Sequence, residues 1–120
     1  MAHVLVVDDD PVFREVAGEI LLGAGHTVSQ AENGVHAQAL QTRPDLAVVD
    51  MLMPERDGIE TIGDLRARWP DVKLIAVSSG SSGLGSDLLL RTALAIGADA
   101  SLAKPVQAEA LVRLVSRLLG

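Results

Sequence analysis

The chain has 120 residues, 48% hydrophobic and 22% charged, the proportions of one globular domain and not of a disordered or fibrous chain. A net charge of -6 and pI ≈ 4.8 argue against a nucleic-acid partner, which needs a positive field to meet phosphates, and the lack of cysteine excludes disulfide scaffolds, thiol catalysis and zinc–thiolate sites. No apolar run approaches the roughly 18 residues that cross a bilayer, and the run Met1 to Val7 is too short for a signal peptide, so a single acidic domain over residues 1–120, cytoplasmic and off the membrane, is expected.

Short β-branched runs alternate with segments of helical period. Val4-Leu5-Val6-Val7 is a continuous apolar run that stops at Asp8-Asp9-Asp10, as a buried parallel strand does. Asp10 before Pro11 is an N-cap signal, and Phe13, Val16, Ala17, Ile20 and Leu21 recur at the spacing of one helix face. Gly23 and Gly25 stop that helix. A weaker strand is expected around His26 to Gln30, then a helix from Asn33-Gly34 to about Gln41, before Pro44. Leu46-Ala47-Val48-Val49 is the next strand, ending on Asp50. Ile59, Ile62, Leu65 and Trp69 mark a third helix, closed by Pro70.

Leu74 to Val77 reads as a strand ending on Ser78. A Gly/Ser-rich stretch follows, then a helix over about residues 87–96 with Gly97 beyond it. Its leucines Leu88, Leu89, Leu90 and Leu94 with Ile96 exceed one stripe. A short strand, residues 100–103, ends on Lys104-Pro105. Leu111, Leu114, Val115, Leu118 and Leu119 mark a last helix within 107–119. Strict alternation of five strands and five helices predicts an α/β fold: a parallel sheet, doubly wound, with helices on both faces.

The polar residues at the strand ends carry the chemistry. Asp8 and Asp9, Asp50, Ser78 and Lys104 each follow an apolar strand at its C-terminal end, the edge where such sheets bind ligands. Carboxylates gathered there either take up protons or share a cation. A hard divalent ion, Mg²⁺, suits oxygen donors beside a phosphate. Asp50 then has the character of a nucleophile toward a phosphoryl group, with the Lys104 ammonium and Ser78 hydroxyl available to its oxygens. His3, His26 and His36 lack metal-ligand spacing. The glycines at 80, 83 and 85 do not form a dinucleotide fingerprint.

Six stretches in order match one family: Val6-Val7-Asp8-Asp9-Asp10-Pro11, Val49-Asp50-Met51-Leu52-Met53-Pro54, Asp57-Gly58, Val77-Ser78-Ser79, Gly97-Ala98-Asp99 and Lys104-Pro105. From Val4 to Leu119 the chain resembles the receiver domain of bacterial response regulators, the CheY-like, flavodoxin-like fold with strand order 2-1-3-4-5. The resemblance implies that Asp50 accepts a phosphoryl group from a sensor histidine kinase or histidine phosphotransfer protein. It further implies Mg²⁺ on Asp9, Asp50 and the Leu52 backbone carbonyl, with Asp8 acting largely through water. Ser78 and Lys104 would engage the phosphoryl group, and the Lys104–Pro105 peptide would be cis. On this reading the domain is a phosphoacceptor switch that assists its own phosphorylation and dephosphorylation, not a conventional enzyme.

Ser101 stands where the family often has an aromatic residue, and Val106 where it often has phenylalanine, so the signal is expected to travel by loop and helix displacement. The Gly/Ser loop 79–86 is expected to order on phosphorylation. Leu52 and Gly80 supply no polar group to orient water, which implies a long-lived phosphoryl group. A downstream protein is expected on the face formed by helix 87–96, strand 100–103 and helix 107–119, around Leu88, Leu89 and Arg91, with the chain a monomer or weak dimer. The chain is either a single-domain regulator or the receiver of a hybrid kinase or transcription factor. A flavodoxin-type FMN binder would not place Asp8-Asp9-Asp10 where phosphate must sit. An aspartate-nucleophile phosphatase would carry an aspartate where Leu52 stands.

Overall fold

Parallel hydrogen bonding joins β1 (His3–Val7), β2 (Thr27–Ala31), β3 (Leu46–Asp50), β4 (Lys73–Ser79) and β5 (Ala100–Lys104) into one sheet ordered β2-β1-β3-β4-β5. The computed structural model describes residues 2–51, 58–79 and 91–120. Around the sheet lie α1 (Pro11–Gly23), α2 (Gly34–Gln38), α3 (Gly58–Arg68), α4 (helical over residues 91–96) and α5 (Ala108–Leu119). The expected doubly wound α/β architecture is what the chain adopts.

Alternation along each strand splits the core in two, because successive side chains point to opposite faces. Leu5, Val7, Ala47, Val49, Leu74 and Ala76 pack with Ile62, Leu65 and Trp69 of the α3 side. Val4, Val6, Leu46, Val48, Ile75 and Val77 pack with Ala17 and Leu21 of α1 and Leu111 and Val115 of α5. Both faces of the central strands are buried, which is why their sequences read as unbroken apolar runs.

The capping signals act as expected. Asp10 Oδ1 accepts the backbone N–H of Val12 at 2.9 Å, and Gly25 and Gly97 take φ of 95° and 129° past the ends of α1 and α4. The Lys104–Pro105 bond is cis.

Several expectations shift by a few residues. The second helix ends at Gln38 instead of Gln41, where Ala39 and Leu40 donate to His36 and Ala37 in a tightened last turn. Both β4 and β5 run further toward the rim than the apolar runs alone suggest, through Ser79 and Lys104, because ladder pairing continues to Ser79↔Lys104. In α1, Val16 belongs to the apolar stripe in sequence, yet it is 50% exposed. Gly18 takes the buried place there, facing the side chains of Gln30 and Val28. Of the helix expected over 87–96, residues 87–90 lie outside the described residues, as do Leu88 and Leu89 of the expected partner surface.

Candidate functional site

Register sets which polar groups meet. Val7 pairs with Val49, so Asp8 and Asp50 each stand one residue further along on adjacent central strands. Asp50 pairs with Val77, and Val77 with Leu102. Asp8, Asp50 and Lys104 share the parity of Val6, Val48 and Leu102, residues of the α1–α5 core. All three are therefore directed to the same side of the sheet edge. Ser78 follows Val77 on β4, pairs with Ala103 and is fully buried.

The result is an acidic cluster. Ligand atoms of Asp8, Asp9 and Asp50 lie within 4.8 Å of one another. Asp8 and Asp50 are buried, whereas Asp9 is exposed. Lys104 Nζ donates to Asp8 Oδ2 at 2.8 Å and lies 4.0 Å from Asp50 Oδ1. Asp8 Oδ1 accepts the backbone N–H of Asp10 at 2.9 Å, so both oxygens of Asp8 already have partners. Arg14 fixes the backbone here, donating from Nη1 to the Asp8 carbonyl at 2.7 Å.

Burial weighs differently on the two members of this pair. Burial raises the Asp8 carboxyl above its ordinary value of 3.8 and outweighs the help of Lys104 and the Asp10 N–H. For Lys104, burial pulls downward, but the hydrogen bond it donates to Asp8 and the charges of Asp50 and Asp8 prevail, and the ammonium is raised above 10.5. The asymmetry follows from exposure: the Asp8 side chain is wholly enclosed, while that of Lys104 keeps 24% of its surface in water.

The donor set fits a hard divalent cation. Three carboxylates converge, and among the described residues the cations Lys104 and Arg14 beside them are outnumbered. Both oxygens of Asp8 are already hydrogen-bonded, whereas Asp9 and Asp50 add carboxylate oxygens of the kind Mg²⁺ prefers. Leu52, whose carbonyl was expected to join them, lies outside the described residues, as do Gly80 and the loop 80–86.

Three features were not drawn from the sequence. Lys104 pairs first with Asp8, not with Asp50. Arg14 braces the Asp8 backbone. The ring of Phe13 lies under the Lys104 ammonium, 4.4 Å from Nζ to the ring centroid. The only signal for the last was that the chain's single phenylalanine falls one turn into the helix that follows the acidic run. The histidines play no part in the site: His3 bridges the hydroxyls of Thr27 and Ser29 at 2.7 Å each, at the opposite end of β1 and β2.

A family model described as the response regulator receiver domain matches residues 4–116. The chain is 32% identical over 119 residues to the chemotaxis protein CheY of Halobacterium salinarum, covering 98% of this chain and 96% of that one. It is 33% identical over 108 residues to a cyclic di-GMP phosphodiesterase of Thermotoga maritima, covering 90% of this chain but only 28% of that protein. The structure superimposes on a CheY-like receiver domain protein from Methanospirillum hungatei with a TM-score of 0.86 at 27% identity, over 99% of this chain and 94% of the other. With sheet order, acidic rim and family match in agreement over nearly its whole length, the chain belongs to the response regulator receiver domain family, the CheY-like phosphoacceptor modules of two-component signalling.

Proposed function

We propose that Asp50 is the phosphoacceptor, and that the domain takes its phosphoryl group from a histidine kinase or histidine phosphotransfer protein. One observation carries this reading: a carboxylate at the end of β3 shares a 4.8 Å cluster with two others while a lysine ammonium stands 4.0 Å from it. Asp9 and Asp50, with the Leu52 carbonyl, would hold Mg²⁺, and Asp8 would act through water. When bound, the ion offsets the charge of the carboxylate and of the approaching phosphoryl oxygens. An Asp50 oxygen attacks phosphorus in line with the departing group, and Lys104 and Ser78 receive phosphoryl oxygens as donors. The residues thus work by position and charge, and the domain assists its own phosphorylation and dephosphorylation without being a turnover enzyme.

Incubation with Mg²⁺ and acetyl phosphate, followed by intact-mass measurement, tests this. Wild type should gain one phosphoryl mass and Asp50→Asn should not. Equal labelling of the two would refute Asp50.

Output to a downstream protein fits the face of α4, β5 and α5, with the chain a monomer or weak dimer and neither nucleic acid nor membrane as partner. Leu94 and Ile96 are 44% exposed there, and Ser101 lines a shallow groove with Leu102 and Leu114. No bulky ring fills that position, which supports a signal carried by displacement of α4. Arg91, at the start of the described part of α4, is exposed on the same helix. The long-lived phosphoryl group implied by Leu52 and Gly80 is a further part of this reading.

A further inference from the structure

Lys104 stands between two unlike neighbours. On the sheet side are Asp8 and Asp50, at 2.8 and 4.0 Å from Nζ. On the helix side is the face of the Phe13 ring, 4.4 Å away at its centroid. Phe13 is half-buried and rests on the core cluster beneath α1 and α5. Beyond it opens a groove of about 660 Å³, largely apolar, which Phe13 and Lys104 line together with Val16, Ile20 and Val106.

A lysine arm has several rotatable bonds, and its charged end is drawn toward water. The groove offers the Lys104 ammonium an alternative position away from the carboxylates. An aromatic face carries negative quadrupole charge, and a cation within about 6 Å of it is attracted. An aliphatic side chain of similar bulk fills space but holds no cation. We propose that Phe13 is a positioning residue for phosphoryl transfer to Asp50: its ring holds the Lys104 ammonium on the Asp8–Asp50 side of the groove, where phosphoryl oxygens arrive.

This rests on the reading of Asp50 as phosphoacceptor. In the step itself, an Asp50 carboxylate oxygen forms the new bond to phosphorus as the bond from phosphorus to the bridging oxygen of acetyl phosphate breaks. Acetate leaves with that electron pair, and Lys104 keeps its proton throughout. The ammonium faces charge on the transferring oxygens, and preorganising it raises the rate of the step without adding a metal ligand.

The test is a graded series at position 13 in the full chain: phenylalanine, its mono-, di- and trifluoro analogues, Phe13→Tyr and Phe13→Leu. Fluorination withdraws charge from the ring face with little change in size. We measure the maximal phosphorylation rate with saturating acetyl phosphate and Mg²⁺, the Mg²⁺ affinity, and the melting temperature. The rate should fall stepwise along the fluorinated series, by about two- to fivefold in total, and in Phe13→Leu by at least as much. Phe13→Tyr should stay near wild type, and Mg²⁺ affinity and melting temperature should hold constant across the ring analogues. Rates that stay level or rise along the series, or that fall only together with the melting temperature, would overturn the proposal, even if Phe13→Leu alone were slow or misfolded. Those outcomes leave Asp50 standing, since wild type would still gain a phosphoryl group that Asp50→Asn lacks. If wild type gained none, the reading of Asp50 and this inference would fall together.

Discussion

Lys104 Nζ lies 2.8 Å from Asp8 Oδ2 but 4.0 Å from Asp50 Oδ1. The ammonium is therefore held by Asp8, and not by the proposed phosphoacceptor. It stays within a short swing of the position a phosphoryl group on Asp50 would occupy. On the proposed reading, Asp8 is the partner that the phosphoryl oxygens would replace.

Removing the ammonium leaves Asp8 enclosed without its cation. Breaking a buried pair costs about 3–5 kcal/mol, and partial exposure of Lys104 reduces this to about 1–3 kcal/mol. Urea unfolding of Lys104→Met in metal-free buffer should show that loss. Added Mg²⁺ should recover part of it, because a second cation then serves the same carboxylates. A variant as stable as wild type without metal would contradict the pairing.

The pH dependence of the metal-free protein carries two opposite signs. Lys104 is raised above 10.5 by its carboxylates, so its stabilising contribution is complete below 10.5 and lost as pH climbs through the raised value. The gap in unfolding free energy between wild type and Lys104→Met should hold from neutral pH to about pH 10 and close above that. Asp8 is raised above 3.8 by burial. Its protonated form favours the folded state below 3.8, and that contribution disappears as pH rises through the raised value. Wild type should accordingly lose ground to Asp8→Asn across that acidic window, the reverse of an ordinary salt-bridged carboxylate.

Mg²⁺ should stabilise the fold by mass action, by about 2.7 kcal/mol at a hundred times its dissociation constant. Calorimetric titration should show binding abolished in Asp9→Asn and Asp50→Asn. The two carboxylate oxygens of Asp8 are already engaged by Lys104 and the Asp10 N–H, so in Asp8→Asn affinity should fall by about tenfold or somewhat more, as for a residue behind the ligands. Equal losses in all three variants would show that Asp8 ligates directly.

Gly58 supports the site from below. A Cβ there would stand 2.5 Å from the Met51 Cα and 2.7 Å from the Asp50 carbonyl oxygen. Both are backbone atoms of the strand end that carries Asp50, so the collision cannot be relieved by a side chain. Gly58→Ala should lose about 1–3 kcal/mol of stability and slow acetyl phosphate labelling of Asp50. Gly63→Ala, on the same helix with nothing within 4 Å of the added atom, is the control and should do neither.

Legibility followed the range of the interaction. The strands were readable because Val4 to Val7 and Leu46 to Val49 are buried on both faces, so burial is written in consecutive residues. Strand and helix ends were less so: whether β5 stops at Ala103 or includes Lys104 depends on its pairing with Ser79 across the ladder, which no local pattern encodes. The exposure of Val16 likewise depends on how α1 lies beside α5, and not on its helical spacing.

The alternation of elements, the caps at Asp10 and Gly97, and the placing of polar residues at the strand ends were all legible along the chain, because each is a property of a few neighbouring residues. Only the tertiary structure decided how those residues share one another. Asp8 and Lys104 are 96 positions apart, and their contact, the saturation of both Asp8 oxygens and the ring of Phe13 beneath the ammonium depend on side-chain directions set by sheet register and by the packing of α1 on the strands. Distances of a few ångströms between far-separated charges arise from that packing, and the order of residues along the chain does not contain them.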